Sequence, residues 1–418
     1  RSVSLLAARR VFGQHDCGAF TGMSTQVNST LDQLTALLSA SPASVYAREQ
    51  SCLTDLLGGV QNRVVLCGAG SLGQRALACL RSIGIEPLAF CDNNAARQGT
   101  AIANCPVLSP ADAASRYGAD ALFLVTIWNA KHFYGETKHK LRELACVNIA
   151  PPSALYWRFA DVFLPFFCLD LPHRVYEQAE QILAAAALWS DEKSRTLYLD
   201  QIRWRALGDW DWSCEPDPEE SYFLDSVYEL TEHEAFIDCG AFDGDTIQSF
   251  LARTHAQFDS ILAIEADALT YPALTAYLNA LDPAVKAKID DRYCAVGAQR
   301  GVVRFNDTGG VDSQISENGN SSVECFPIDE LVGDKRATFI KMDIEGAEFD
   351  TLTGARHLIA RERPILAVCV YHLQHDLWRL PLLINDFAPD YHFYLRAHEG
   401  DAWQTVAYAV PPERLRPQ

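Results

Sequence analysis

Two stretches carry residue types able to do chemistry together. Asp343-Ile-Glu345-Gly-Ala-Glu348 sets three carboxylates after the apolar run Thr338-Phe-Ile-Lys-Met342, and Tyr371-His372 closes a second apolar run, Pro364 to Val370. An imidazole titrates near neutrality and a carboxylate accepts protons, so this set suits the removal of a proton from an attacking hydroxyl. His372 is the first candidate for that base and Asp343 the second, with Glu345 beside them on the acceptor side. The trio Asp343, Glu345 and His372 could also hold magnesium or another divalent ion, but its spacing is not diagnostic and no metal is assigned. Glu348 has a plainer reading as well, charging the first turn of a helix whose dipole favours acid there.

A third stretch, Ala235 to Asp245 (AFIDCGAFDGD), reads as a short buried strand ending at Asp238, a turn containing Gly240 and Gly244, and a helix opening near Thr246. Glycines at such a turn let the backbone approach a ligand closely. Asp238, Asp243 and Asp245 would repel a pyrophosphate but suit a cation, and S-adenosylmethionine brings an ammonium and a sulfonium. The run Ile261-Leu-Ala-Ile-Glu265 ends a second strand in a carboxylate, the position from which an acid accepts both hydroxyls of a ribose. The candidate cofactor residues are therefore Asp238, Gly240, Phe242, Gly244, Asp245, Glu265 and Asp343. Methyl transfer from a sulfonium is an in-line displacement that needs alignment and a competent nucleophile.

These residues sit at strand ends, so parallel strands must carry them to one edge of a sheet. From Ala235 onward strands and helices alternate, and two final apolar segments, Tyr391 to Leu395 and Gln404 to Val410, read as a closing hairpin. Arg292 to Val296 and Gly301 to Phe305 read as consecutive strands joined by a turn, and Asp307 to Ser322 as a polar loop able to close over a ligand. Earlier in the chain, Arg63-Val-Val-Leu-Cys-Gly68-Ala-Gly70-Ser-Leu-Gly73 is a strand followed by GxGxxG and a helix, and a second strand, Pro87 to Cys91, ends at Asp92. That is a dinucleotide fingerprint in a βαβ setting, so Gly68, Gly70, Gly73 and Asp92 form a possible second nucleotide site for NAD or a nucleotide sugar. The competing reading is that these glycines only permit tight helix-strand packing. Between the two, residues 151–234 are helical and aromatic-rich. They read as a connector, with an alternative in which Tyr222 and the tryptophans Trp204, Trp210 and Trp212 form a wall over the second site.

The 418 residues suggest two or three domains, and 49% apolar content suffices for two cores. A net charge of −19 argues against nucleic acid and anionic membranes as partners. The 13 cysteines form neither a CxxC pair nor a cluster with histidines, which points to reduced thiols in the cytoplasm. No apolar run is long enough for a membrane span, and Arg9-Arg10 lacks the apolar run that an export signal needs.

The ordered set FIDCGAFDGDT, AIEAD, PIDEL, FIKMDIEGAE, LTGA, RPILAVCVYH and YHFYLRAH resembles the FkbM family of S-adenosylmethionine-dependent methyltransferases, with KMDIEGAE the specific part. The resemblance covers Phe236 to the C-terminus. It implies a class I methyltransferase sheet with an antiparallel seventh strand, a cofactor lined by Asp238, Gly240 and Gly244, a ribose held by Glu265, and a fourth-strand motif at Asp343, Glu345 and Glu348. Phe242 departs from it, being bulky where many methyltransferase turns have Gly or Asn. It also implies methylation of hydroxyls, here on a glycan, sugar nucleotide or secondary metabolite. The first sheet looks like the nucleotide-binding domain that opens some sugar-modifying enzymes of bacterial polysaccharide pathways. The expected organisation is α/β: an extension with helices over 1–58, a small doubly wound Rossmann-like domain over 59–150, a helical connector over 151–234, and a methyltransferase domain over 235–418. The expected partner is a small-molecule or glycan acceptor, and self-association is compatible with the sequence.

Overall fold

A computed structural model describes residues 29–211, 216–310 and 313–417, which fall into two compact units. Arg9-Arg10, Trp212 and Cys214 lie outside the described residues. The first unit comprises the chain to Ala179, Thr196–Pro216 and Glu399–Trp403; the second comprises Glu180–Arg195, Asp217–His398 and Gln404–Gln418.

In the first unit the strands are β1 (Val64–Cys67), β2 (Ala89–Cys91), β3 (Ala101–Ile102), β4 (Cys105–Leu108), β5 (Leu122–Val125) and β6 (Asn148–Ala150), in the order β3-β4-β2-β1-β5-β6. All pairings are parallel except β3 with β4. A parallel sheet is covered on both faces, which is why Val64-Val-Leu-Cys67 is apolar without alternation and wholly buried. Helix α1 (Ser71–Ser82) follows β1 directly. Trp204 and Trp210 are core residues of this unit: their rings lie 5.2 Å apart, and Trp128 lies 6.0 Å from Trp204.

The second unit contains β7 (Ala235–Cys239), β8 (Ser260–Glu265), β9 (Ile289–Tyr293), β10 (Ala295–Val296), β11 (Gly301–Asn306), β12 (Gln314–Ile315), β13 (Ser321–Phe326), β14 (Phe339–Met342), β15 (Ile365–Cys369), β16 (His392–Ala397) and β17 (Thr405–Val410). Seven of these form the main sheet, in the order β16-β17-β15-β14-β7-β8-β9. The strands from β15 to β9 are parallel, whereas β17 runs antiparallel to both β15 and β16, as expected of the closing hairpin. Helices α2 (Asp245–Arg253), α3 (Glu348–Gly354) and α4 (Asp376–Phe387) follow β7, β14 and β15. Because β7 has β8 on one side and β14 on the other, the chain leaves it toward opposite sides, and a crevice opens at its carboxyl end.

The expected pairing of 292–296 with 301–305 is corrected. The chain divides at Cys294: Ile289–Tyr293 joins the main sheet beside β8, while β10 enters a four-stranded sheet of order β10-β13-β11-β12. Alternation specifies a strand but not which sheet it joins, and the partners of β11 are β13 and β12. The described part of the polar stretch after Asn306 holds β12 and the start of β13 and is tied to Asp267. Thr308 and Gly309 donate backbone N–H bonds to Asp267 Oδ2 at 3.1 and 2.9 Å. Every cysteine among the described residues is buried and outside any disulfide, and no described helix is long and apolar enough to cross a membrane.

Candidate active site

The turn after β7 is shaped by two left-handed glycines. Gly240 has φ 80°, and a Cβ there would lie 2.0 Å from the Asp343 carbonyl oxygen, so the absent side chain is what lets the ends of β7 and β14 meet. Gly244 has φ 95° and caps α2, where a Cβ would strike Tyr277 at 2.4 Å. Phe242 lies between them at φ 49°, and its backbone N–H donates to Glu265 Oε2 at 2.8 Å. Glu265 Oε1 accepts the Asp267 N–H at 2.7 Å. Burial raises the Glu265 carboxyl above its usual range, partly offset by these two amides. The turn and the acid at the end of β8 are thereby locked to one another.

Asp238 does not lie on the rim of the turn. It is fully enclosed, and Lys341 Nζ stands 3.1 Å from its Oδ1, directly across the β7–β14 register. Burial pushes the Asp238 carboxyl up to about 6, against the pull of the lysine. Burial disfavours charge on Lys341, but Asp238 and Asp343 outweigh it and hold the amine above its ordinary value. The rim acids are Asp243 and Asp245, both exposed.

At the ends of β14 and β15 the predicted trio comes together. His372 Nε2 lies 3.1 Å from Asp343 Oδ1 and 3.4 Å from Glu345 Oε1, and its Nδ1 is 2.8 Å from Glu348 Oε1. Glu348 is completely buried and also accepts the Ile344 and Gly346 N–H groups at 2.9 and 3.0 Å. It therefore both ties down the turn before α3 and orients the histidine. Glu345 adopts φ 53°, a left-handed conformation that costs a glutamate free energy, and Gly346 follows at φ 97°. Burial opposes charge on His372, but Glu348 and Glu345 prevail and hold the imidazole well above its ordinary range. Burial also works against ionisation of Asp343, yet His372, Lys341 and Tyr222 together hold its carboxyl well below the usual range. Glu345 is shifted upward, by burial and by its acidic neighbours, despite His372.

Three residues reach this site in ways the sequence reading did not give, Tyr222 having entered it only as part of an aromatic wall. The Tyr222 hydroxyl donates to Asp343 Oδ2 at 2.7 Å and lies 3.1 Å from Gln404 Oε1. Lys341 is the third, and its signal was legible: a lysine inside Phe339-Ile-Lys-Met342 is buried and requires a carboxylate partner. Tyr222 and Gln404 carried no such signal, since each reaches Asp343 or its partner only through the fold.

The sequence profile described as "Methyltransferase FkbM domain" matches residues 238–398. This stretch is similar to an FkbM methyltransferase domain. The FkbM region contains the β7 turn, Glu265 and the whole acid-histidine cluster. The chain is also similar to the crystal structure of Methyltransferase FkbM from Methylobacillus flagellatus KT, with 20% identity and a TM-score of 0.71, covering 91% of this chain and 100% of that one. At that identity the likeness supports the α/β fold of both sheets. Aeropyrum pernix fibrillarin, crystallised with natively bound S-adenosyl-L-methionine, aligns over 44% of this chain and 69% of its own, at 11% identity and a TM-score of 0.27. The methyltransferase domain of bacterial CtHen1 aligns over 43% of this chain and 91% of its own, at 10% identity and a TM-score of 0.27. Neither of these two likenesses extends to the fold as a whole. No curated protein sequence matches the chain significantly.

Gly68, Gly70, Gly73 and Asp92 form a separate set in the first unit. A Cβ on Gly73 would lie 1.9 Å from the Gly68 carbonyl oxygen, so this glycine is required for helix-strand packing whatever the turn binds. Both Asp92 oxygens already accept main-chain N–H groups, from Ala69 and Asn94, each at 2.8 Å.

Proposed function

We propose that the second unit is an S-adenosylmethionine-dependent methyltransferase acting on a hydroxyl of a glycan, sugar nucleotide or secondary metabolite. The observation that carries this reading is the juxtaposition, within an FkbM domain, of the Gly240–Gly244 turn locked to Glu265 and the Asp343–Glu345–His372 cluster beside the same glycine. Glu265 keeps lone pairs beyond those its two amides use, enough for the hydroxyls of a ribose. Exposed Asp243 and Asp245 favour a cationic ligand at the turn. When bound, the cofactor supplies an electrophilic methyl group on a sulfonium. The cluster orients the acceptor and takes up the proton of its hydroxyl. His372 stands among these carboxylates, which strengthen its hold on a proton, so imidazole and acids handle that proton as one cluster. Packing alone accounts for Gly68 and Gly73, and no nucleotide in the first unit enters the proposal.

Calorimetry with S-adenosylhomocysteine tests the cofactor site. Micromolar binding, roughly 8 kcal/mol, is expected for the wild type and should vanish in Glu265→Ala. A labelled-methyl screen against polyols, glycans and sugar nucleotides tests the acceptor. Transfer to nitrogen or carbon with none to any hydroxyl would reject the oxygen assignment.

A further inference from the structure

We infer that Asp343, Glu345 and His372 form a binding site for a divalent transition cation of the Mn2+ type. Each residue offers one ligand atom, and these three atoms lie within 4.8 Å of one another. Ligands held at about 2.0–2.2 Å from one small ion stand roughly 3–4.4 Å apart, so little adjustment is needed.

Proximity of acids alone would prove nothing, but the histidine adds an independent observation. His372 is 3% exposed, and its Nε2 has no hydrogen-bond partner although two carboxylate oxygens lie 3.1 and 3.4 Å away. The oxygens flank the nitrogen without lying where its N–H would meet them. An ion between the three atoms would use all of these lone pairs.

The other ring nitrogen is held as a metal-bound imidazole requires. Nδ1 lies 2.8 Å from Glu348, whose carboxylate is pinned by the Ile344 and Gly346 amides. With Nδ1–H donating to Glu348, the Nε2 lone pair is left for a cation. Backbone strain points the same way: Glu345 keeps φ 53° to bring its carboxylate within 3.4 Å of Nε2, and such conformations persist where they serve a site.

Charge completes the argument. Asp343, Glu345 and Glu348 all lie against His372, while Asp376 has His375 at 3.5 Å and Lys341 is matched by Asp238. Two carboxylates with one imidazole suit Mn2+ and its first-row neighbours better than Mg2+ or Ca2+, which prefer oxygen alone. Under the methyl-transfer reading, on which this last consequence rests, the cation rather than a free His372 would raise the acidity of the acceptor hydroxyl.

The test is titration of the chelator-treated full chain with Mn2+, followed by loss of the free-ion EPR signal, with neither cofactor nor acceptor present. One ion per chain with micromolar Kd is expected, weakened at least tenfold in both Asp343→Asn and Glu345→Gln. Glu348→Gln, which touches no ion, should weaken it about 10–100-fold by releasing the imidazole. Circular dichroism and S-adenosylhomocysteine calorimetry on the same samples identify any variant that fails to fold. No binding to the wild type, or equal binding in folded variants, overturns the site. Mn2+ failure with intact S-adenosylhomocysteine binding rejects only this inference, and the reverse pattern rejects only the methyltransferase reading.

Discussion

At the scale of single residues, Lys341 and Asp238 determine how the crevice is held. Both are buried, and their mutual attraction is what keeps two charges inside the sheet. Replacing the lysine by Met leaves the acid without its cation, so Lys341→Met should destabilise the second unit by about 3–5 kcal/mol in urea unfolding. Adding Asp238→Asn should recover part of that loss; a single variant within about 1 kcal/mol of wild type would contradict the pairing. In the first unit Asp401 makes a separate prediction. Burial pushes its carboxyl up to about 7, while the Tyr134 N–H, donating to Oδ2 at 2.8 Å, pulls the other way. The folded state thus favours the neutral acid. Its contribution is fully present below the ordinary value of 3.8 and is lost as pH rises toward about 7. Asp401→Asn stays neutral, can still accept the Tyr134 N–H, and tolerates φ 53°. The variant should match wild type near pH 4 and exceed it at pH 8 by on the order of 2–4 kcal/mol. Thermal unfolding at both pH values measures this, and an unchanged difference would show that burial is not what shifts the group.

At the scale of elements, the strand-to-helix turns separate glycines that pack from glycines that merely permit. Gly73 sits where a Cβ would overlap the Gly68 carbonyl, whereas a Cβ on Gly70 meets nothing within 4 Å. Gly73→Ala should therefore unfold the first unit's βαβ edge at lower denaturant, while Gly70→Ala should stay within about 1 kcal/mol of wild type. Equal effects would remove the packing account. The sequence reading found both turns because the glycines are punctuated by apolar runs. It misjudged the segment from Arg292 to Phe305, since β9 and β10 are nearly continuous in sequence yet join different sheets. That choice is made by the partners β8 and β13, which neither segment encodes locally.

At the scale of the whole molecule, two units each contain a mostly parallel sheet with a glycine turn after one of its strands, and the proposal assigns the cofactor to one of them. S-adenosylhomocysteine at 100 times its Kd should stabilise the unit that binds it by about 2.7 kcal/mol. Hydrogen exchange should then slow at residues 239–246 and 264–267 and stay unchanged at 67–74. Protection confined to the Gly68–Gly73 turn would move the cofactor to the first unit.

By itself the sequence determined the kinds of element and the chemistry at their ends. Apolar runs closed by Asp238, Glu265, Asp343 and His372 specify buried strands with functional groups at their carboxyl ends, because side-chain period and burial are local properties. The glycines at 240 and 244 likewise announced a turn, whose left-handed φ values the structure supplies. Tertiary structure decided what those groups do to one another. Only the alignment of β7 with β14 sets Asp238 against Lys341, and only the packing of β15 beside β14 brings His372 between Glu348 and two further carboxylates. Those pairings join residues far apart in the chain, and Coulomb energy and desolvation depend on distance in space, so no local pattern could have fixed which acid is neutralised and which is left for a ligand.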